Sequence, residues 1–346
     1  MGKRQAIILI SIAVALASCT VDDHYPAAPQ RMVFSAVASH TRGIISTTKY
    51  PVTVPFVVEA VHYPEGKGSA GSSLMSGLKV EYDYENGWWQ TEDEFFWPQA
   101  GEVVFYAGSP VIPQVGISPE KGVEADWSIY TLDDAQVDLC IAKTTERCLE
   151  HSALVPIVFN HALTQVCIKA RTLRHYSNSQ RENNLVQANV ITVVLDSVKI
   201  TGVFSEGHFT QNPQSWVTDP AKTAEYTIYS NPTGLELGCD RYENPELNYL
   251  NSILLIPQIL PEDARIEEWH HCVVRSSVTD INTGTIISDI TYPIPGFASI
   301  PIRTCCQKWI PDYKYTFRLA VGLEDTILNL AVTDWIETRE IILGDE

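Results

Sequence analysis

Positive charge is scarce in this chain: 24 lysines and arginines face 42 aspartates and glutamates, for a formal net charge of −18 over 346 residues. That sign excludes a nucleic-acid partner, because phosphate recognition rests on clustered cations. Catalytic signatures are missing as well. No Gly-x-Ser-x-Gly elbow, His-Glu-x-x-His pair, phosphate-cradling glycine loop or calcium-loop pattern occurs. The chain is therefore read as a non-enzyme with no catalytic residue, no cofactor and no metal site. No Cys-x-x-Cys pair or His/Cys group has zinc spacing. Apolar stripes at helical spacing are nearly absent. Beyond residues 6–17 no apolar run approaches the length that crosses a bilayer. With 45% hydrophobic and 19% charged residues, the composition is that of a packed globular body rather than a disordered stalk.

What is present begins at the N-terminus. Lys3 and Arg4 precede the apolar run 6–17, which is too short for a transmembrane helix and reads as a signal peptide. It ends Leu16-Ala17-Ser18-Cys19, which resembles the bacterial lipobox, so residues 1–18 are expected to be removed and Cys19 acylated. Asp22 and Asp23 follow, resembling the surface-export signal of lipoproteins. The expected location is the cell outer membrane, facing outward.

The rest has the period of strands. Runs rich in Val, Ile, Thr, Tyr and Phe at 52–58, 78–84, 103–106, 163–170, 190–200, 226–229, 253–256, 272–278, 285–292 and 314–321 alternate with Pro, Gly, Asn and Asp clusters. The spacing predicts an all-β fold of β-sandwiches, and the length suits two domains. The polar stretch 174–184 lacks apolar periodicity and is the candidate linker or long loop. It sets the expected division: a lipidated N-terminal strand or propeptide at 19–42, then domains at 43–180 and 181–346. Seven cysteines besides Cys19 leave at least one thiol unpaired. Cys140 and Cys148 are spaced to close a local loop, and Cys167, between Val166 and Ile168, reads as a buried thiol.

Five short motifs follow one another in order along the chain. Phe96-Trp97-Pro98 precedes the strand Val103-Val104-Phe105-Tyr106-Ala107 and Pro110. Gln136-Val137-Asp138-Leu139 and Phe159-Asn160-His161-Ala162-Leu163 follow. Leu254-Leu255-Ile256-Pro257-Gln258 comes next, and Tyr313-Lys314-Tyr315-Thr316-Phe317 with Asp334-Trp335 completes a set that resembles the fimbrillin family. Departures are the small Ala107-Gly108-Ser109 and the vicinal Cys305-Cys306. The resemblance implies two tandem transthyretin-like β-sandwich domains in a surface lipoprotein of the fimbrium. It also implies a pilus subunit assembled by strand addition after arginine-specific proteolysis, with other fimbrial subunits, the membrane reached through the lipid anchor, and host or microbial surface ligands as partners. Arg42, in Thr41-Arg42-Gly43 after the strand-like run 32–38, is the cleavage candidate; Arg31 precedes that run and is disfavoured. The run 336–343 is the candidate donor strand.

Read physically, Trp97 before Pro98 fits a core-filling residue at a strand end. His161 shares a strand face with Phe159 and Leu163 and reads as a satisfied core histidine. His270 and His271, beside Glu267 and Glu268, point to opposite faces of a strand and read as surface residues. Trp88 and Trp89, with Tyr82, Tyr84, Phe95, Phe96 and Trp97, form either an aromatic platform for sugars or a hairpin turning at Glu85-Asn86-Gly87. The hairpin is favoured. The platform keeps a surface glycan-binding lipoprotein as the alternative function, beside an unpolymerised tip or anchor. The lipobox yields the first prediction: Cys19→Ala abolishes metabolic acyl labelling and leaves uncut precursor, checked by fatty-acid labelling and electrophoresis.

Overall fold

The structure is a computed structural model that describes residues 30–38, 48–68, 70–128, 136–239, 249–323 and 325–334. Cys19, Arg42 and the run 336–343 lie outside the described residues. In chain order the strands are β1 (Phe34–Ala38), β2 (Thr48–Lys49), β3 (Phe56–Tyr63), β4 (Ser72–Asp83), β5 (Trp88–Thr91), β6 (Glu102–Ser109), β7 (Val115–Ser118), β8 (Gly122–Ser128), β9 (Cys140–Arg147) and β10 (Val155–His161). There follow β11 (Thr164–Thr172), β12 (Tyr176–Glu182), β13 (Leu185–Phe204), β14 (Glu206–Gln211), β15 (Gln214–Thr218), β16 (Thr223–Glu236), β17 (Tyr249–Leu255), β18 (Arg265–Asp280), β19 (Ile286–Pro301), β20 (Tyr313–Val321) and β21 (Thr326–Asp334). Among the described residues the only helical element is the short 3-10 turn Ile302–Thr304, so none there is long and apolar enough to span a membrane. The all-β expectation holds.

Four sheets organise these strands. The first runs β10-β9-β6-β3-β4-β5-β1-β2 and closes on itself, because β1 also pairs with β10. Inside the curl sit Met32, Phe34, Phe56, Met75, Trp89, Phe105, Ile157 and Phe159, all buried. A second sheet, β17-β11-β20-β21, and a third, β12-β13-β18-β19 with β16 on β13, enclose the larger core. Here Val166, Ile168, Leu195, Ile266, Phe317 and Leu319 are buried. The fourth sheet, β15-β14-β8-β7, draws β8 from one side of the chain's midpoint and β14 from the other.

The run 103–107 does not alternate, and its place explains why. β6 is paired on both sides, by β9 and β3: Val103, Phe105 and Ala107 join the inner core, while Val104 and Tyr106 pack on the outer face with Val61 and Ile117. A strand covered on both faces is apolar at every position. Gly108 belongs to the same logic, since a Cβ there would stand 2.8 Å from a methyl of Val123 on β8. The missing bulk at Ala107-Gly108-Ser109 is the room that the crossing strand occupies.

Two expectations need correction, and a cysteine pairing that the spacing only permitted is excluded. The polar stretch 174–184 is no loop: β12 pairs with β13 from Tyr176↔Ile191 to Glu182↔Leu185, turning at Asn183 in the left-handed region (φ 54°). It lacks apolar periodicity because nearly every β12 side chain is exposed where the third sheet extends beyond its core. Cys140 and Cys148 cannot pair, because β9 runs extended between them, about 26 Å at 3.3 Å per residue. No disulfide joins the described cysteines. Residues 52–54 form a turn, Val54 N–H donating to Pro51 O at 3.1 Å, and β3 starts only at Phe56. The other runs lie wholly or mainly in strands, and Cys167 is fully buried as expected.

Closure of the first sheet leaves tight corners. Gly101 enters β6 at φ +91°, and a Cβ there would stand 2.2 Å from Tyr63 O. Neither the conformation nor the space suits a side chain. Gly101→Ala is expected to destabilise the protein by at least about 2 kcal/mol, measured as a lowered urea midpoint.

Candidate functional site

The first strand and the groove it fills form the candidate site. Met32, Phe34 and Ala36 alternate inward, each nine-tenths or more buried, while Ser35 and Val37 stay half-exposed. On one side β1 runs parallel to β10, from Phe34↔Val155 to Ala38↔Phe159, and Val155 N–H donates to Val33 O at 2.8 Å. On the other it meets β5 only at Phe34↔Trp89, extended by Met32 N–H to Phe95 O at 2.7 Å and Trp97 N–H to Gln30 O at 2.9 Å. An Arg31–Glu94 ion pair at 3.0 Å closes the outer side. β1 thus seals the sheet as a five-residue plug. Its far end pairs with β2 at Val37↔Lys49 and Ala38↔Thr48, so the connection 39–47 that carries Arg42 joins two adjacent strand ends.

Aromatic rings line the groove. Phe34 sits edge-on to Phe56 and Phe105 at 6.4 and 5.8 Å. Phe56 contacts Trp89 and Phe159, each at 5.3 Å, and Tyr50 stacks on Phe159 at 4.6 Å. Edge-to-face and offset geometries at these distances add roughly 0.5–1.5 kcal/mol per pair to area burial. Trp97 is the core-filling residue expected: it is 9% exposed, meets Phe105 edge-on at 5.9 Å and stacks on His151 at 4.2 Å.

The aromatic segment beyond β4 resolves as the hairpin. Asp83 pairs with Trp88 and Tyr82 with Trp89, Gly87 takes φ +77°, and the Asp83 carboxylate accepts the N–H groups of Glu85 and Asn86. The Asn86 side-chain amide, donating to the same carboxylate at 2.7 Å, and then these backbone donors hold the Asp83 carboxyl below its usual range. Trp89 and Trp97 are spent in the core, leaving Tyr84 (71%) and Phe96 (45%) outward. A cleft of about 410 Å³ remains beside Tyr84, lined also by Val52, Thr53, Glu81 and Tyr82.

The remaining residues singled out divide between core and surface. His161 is buried and bonded to Asp138, as its core reading expects. The surface reading holds for His271, bonded to Asp196 at 2.9 Å, and fails for His270. His270 lies inside with the fully buried Glu268, which also accepts the Thr326 hydroxyl at 2.7 Å. Its ring needs the bare backbone opposite: a Cβ at Gly296 would fall 2.1 Å from His270 Nε2. Burial, with the neighbouring Cys305, pushes the Cys306 thiol up to about 11, so it stays protonated at neutral pH and is a poor nucleophile.

Motif glutamines act as surrogate backbone, a role the linear pattern does not reveal. Gln258 accepts from Phe204 N–H at 2.8 Å and donates to Phe204 O at 3.1 Å and Ile256 O at 3.0 Å. Gln136 accepts from Leu254 N–H at 2.7 Å along the open edge of β17.

The described residues thus form a closed aromatic sheet leading into a larger β-sheet core. The sequence profile of the fimbrillin-like family matches residues 61–335, and the chain belongs to that family, one of fimbrial and adhesion proteins. Its fold is similar to that of a fimbrial protein from Bacteroides vulgatus ATCC 8482, at 14% identity and a TM-score of 0.59, with 89% of this chain and 100% of that one covered. A candidate cell adhesion protein from Bacteroides ovatus ATCC 8483 has 15% identity and a TM-score of 0.50, covering 89% and 99%. No curated protein sequence matches the chain.

Because Phe34 is fully buried and touches two rings, Phe34→Ala is expected to cost about 3–5 kcal/mol, read from urea unfolding followed by tryptophan fluorescence.

Proposed function

We propose that the chain is a pilus subunit, exported as a lipoprotein acylated at Cys19 and assembled by strand addition once an arginine-specific protease cuts after Arg42. One observation carries this reading: a five-residue strand alone closes the first sheet and fills its aromatic groove. Losing β1 would uncover the ladder groups of β10 and the rings of Phe56, Phe105 and Phe159, a state that an incoming strand relieves. Met32 and Phe34 each contribute about 1.5–3 kcal/mol of burial, a large share of a domain margin of about 5–15 kcal/mol. The uncovered subunit is therefore held in a state that favours assembly. The donor in this reading is the run 336–343 of another subunit, which follows β21. The placement on the outer membrane toward other subunits and host or microbial surfaces belongs to the same proposal.

A second reading, glycan binding, has the cleft beside Tyr84 in its favour. It is weaker because Trp89 and Trp97 are buried and only Trp88, half-exposed, is left of the tryptophans that would form a stacking platform. An uncut tip or anchor subunit is the third.

Treatment of purified protein with an arginine-specific protease tests the proposal. The expected result is a new N-terminus at Gly43 and a ladder of oligomers, both abolished by Arg42→Ala, and the ladder alone abolished by deleting residues 336–346. Cleavage without oligomers would indicate a tip or anchor. Resistance with the first strand retained would defeat the subunit mechanism.

A further inference from the structure

Where the chain leaves the closed sheet, three side chains of different chemistry converge. Cys140 opens β9 and His161 ends β10, and the antiparallel register makes them direct cross-strand partners. Asp138, two residues before Cys140, falls on the same side. Asp138 Oδ2 lies 2.6 Å from His161 Nδ1 and 3.3 Å from Cys140 Sγ, and Cys140 Sγ lies 3.8 Å from His161 Nδ1. His161 is buried, whereas Asp138 and Cys140 are half-buried, so the group is anchored inside and open to solvent on one side.

We infer that Asp138, Cys140 and His161 form a binding site for one zinc ion or a similar borderline divalent cation. Tetrahedral bonds of 2.0–2.3 Å to oxygen, nitrogen and sulfur place donor atoms about 3.3–3.8 Å apart. The two sulfur edges of the triangle already have that length. The short third edge is the His161–Asp138 hydrogen bond, which a cation would replace and widen. A thiolate, an imidazole and a carboxylate together suit zinc and not calcium or magnesium, which prefer all-oxygen shells. The geometry also argues against the rival reading, a nucleophilic cysteine with its base. A relay uses the two imidazole nitrogens separately, one toward the nucleophile and one toward the carboxylate. Here both partners approach the same nitrogen, Nδ1, which is convergence on a point. The other oxygen of Asp138, Oδ1, is buried with no hydrogen-bond partner, so the carboxylate has a further lone pair available.

The surroundings supply outer support. Ser109 is the cross-strand partner of Cys140 on β6, and its hydroxyl bonds to that of Tyr50. Asp312, in the turn before β20, accepts the backbone N–H of His161 at 3.2 Å. Three protein donors leave a fourth position for water or a ligand. A bound ion would pin β9 to β10, the parallel partner of β1, at the seam where the chain passes to β11. This inference is independent of the strand-addition reading.

Binding requires Cys140 as thiolate, so its S–H proton passes to the buffer as the Cys140–metal bond forms, and affinity rises with pH. The test uses the reduced full chain, stripped with chelator. Zinc titrated by calorimetry should bind one to one and raise Tm by a few degrees at saturation, which is expected for about a hundredfold excess over Kd. Cobalt(II) should give a thiolate-to-metal charge-transfer band and tetrahedral visible absorption. Cys140→Ser, a one-atom change, should remove that band, and it, Asp138→Asn and His161→Gln should each weaken zinc at least tenfold. The double variant Cys305→Ser/Cys306→Ser should retain the band. A folded wild type, checked by circular dichroism, that takes up no stoichiometric zinc would overturn the inference. So would a cobalt band that survives Cys140→Ser or vanishes with the Cys305/Cys306 pair.

Discussion

The parallel pairing of β1 with β10 is the constraint on which the first half of the molecule depends. A sheet whose ends are left open presents unpaired N–H and C=O groups, and this sheet avoids them by bringing its first strand back against its last. The seal is short on one flank, a single ladder pair with β5 followed by irregular bonds to Phe95 and Trp97, and regular on the other. Ladder bonds alone hold such a strand weakly. The buried side chains of Met32 and Phe34 among six other buried aromatic residues hold it in place, so the same rings that stabilise the closed form would be exposed without it.

The segments that mark the family in sequence are the hardware of the seam between sheets. Gln136 pairs through its amide with the backbone of Leu254, Asp138 bonds to His161, and Gln258 clamps Phe204. Leu139 O accepts Ala162 N–H at 2.7 Å, Ala162 O accepts the Trp216 indole at 2.8 Å, and Leu163 O accepts Asp312 N–H at 3.0 Å. At a turn between sheets the ladder ends, and each buried backbone group there needs a substitute partner. Amide side chains, which carry a donor and an acceptor together, answer that need.

Elsewhere the third sheet extends beyond its core. β19 is its edge strand and exposes Ile286, Ile287, Ile290, Tyr292, Ile294 and Phe297. Such an edge invites pairing with other chains. Pro293, Pro295 and Pro301 share one parity along β19 and have no N–H to give β18, so they fit where the backbone nitrogen faces the open side. They interrupt the row of donors an intruding strand would use, while Ile286 to Thr291 remain proline-free.

The strands at the apolar runs, the aromatic hairpin and the buried settings of Trp97, Cys167 and His161 were determined by local sequence, because alternation and turn residues act over a few positions. By contrast, β7, β8, β9, β14 and β15 lie outside those runs. The polar strand β12 was not legible, since a strand with both faces in solvent carries no apolar period. Nor was the inward turn of His270, which depends on Gly296 across the ladder, or the separation of Cys140 from Cys148, which depends on β9 staying extended. The meeting of Asp138 and Cys140 with His161 more than twenty residues on was decided only by tertiary structure. Antiparallel register brings distant residues face to face, and register is set by how whole strands bury their inner faces, a quantity no short window of sequence contains.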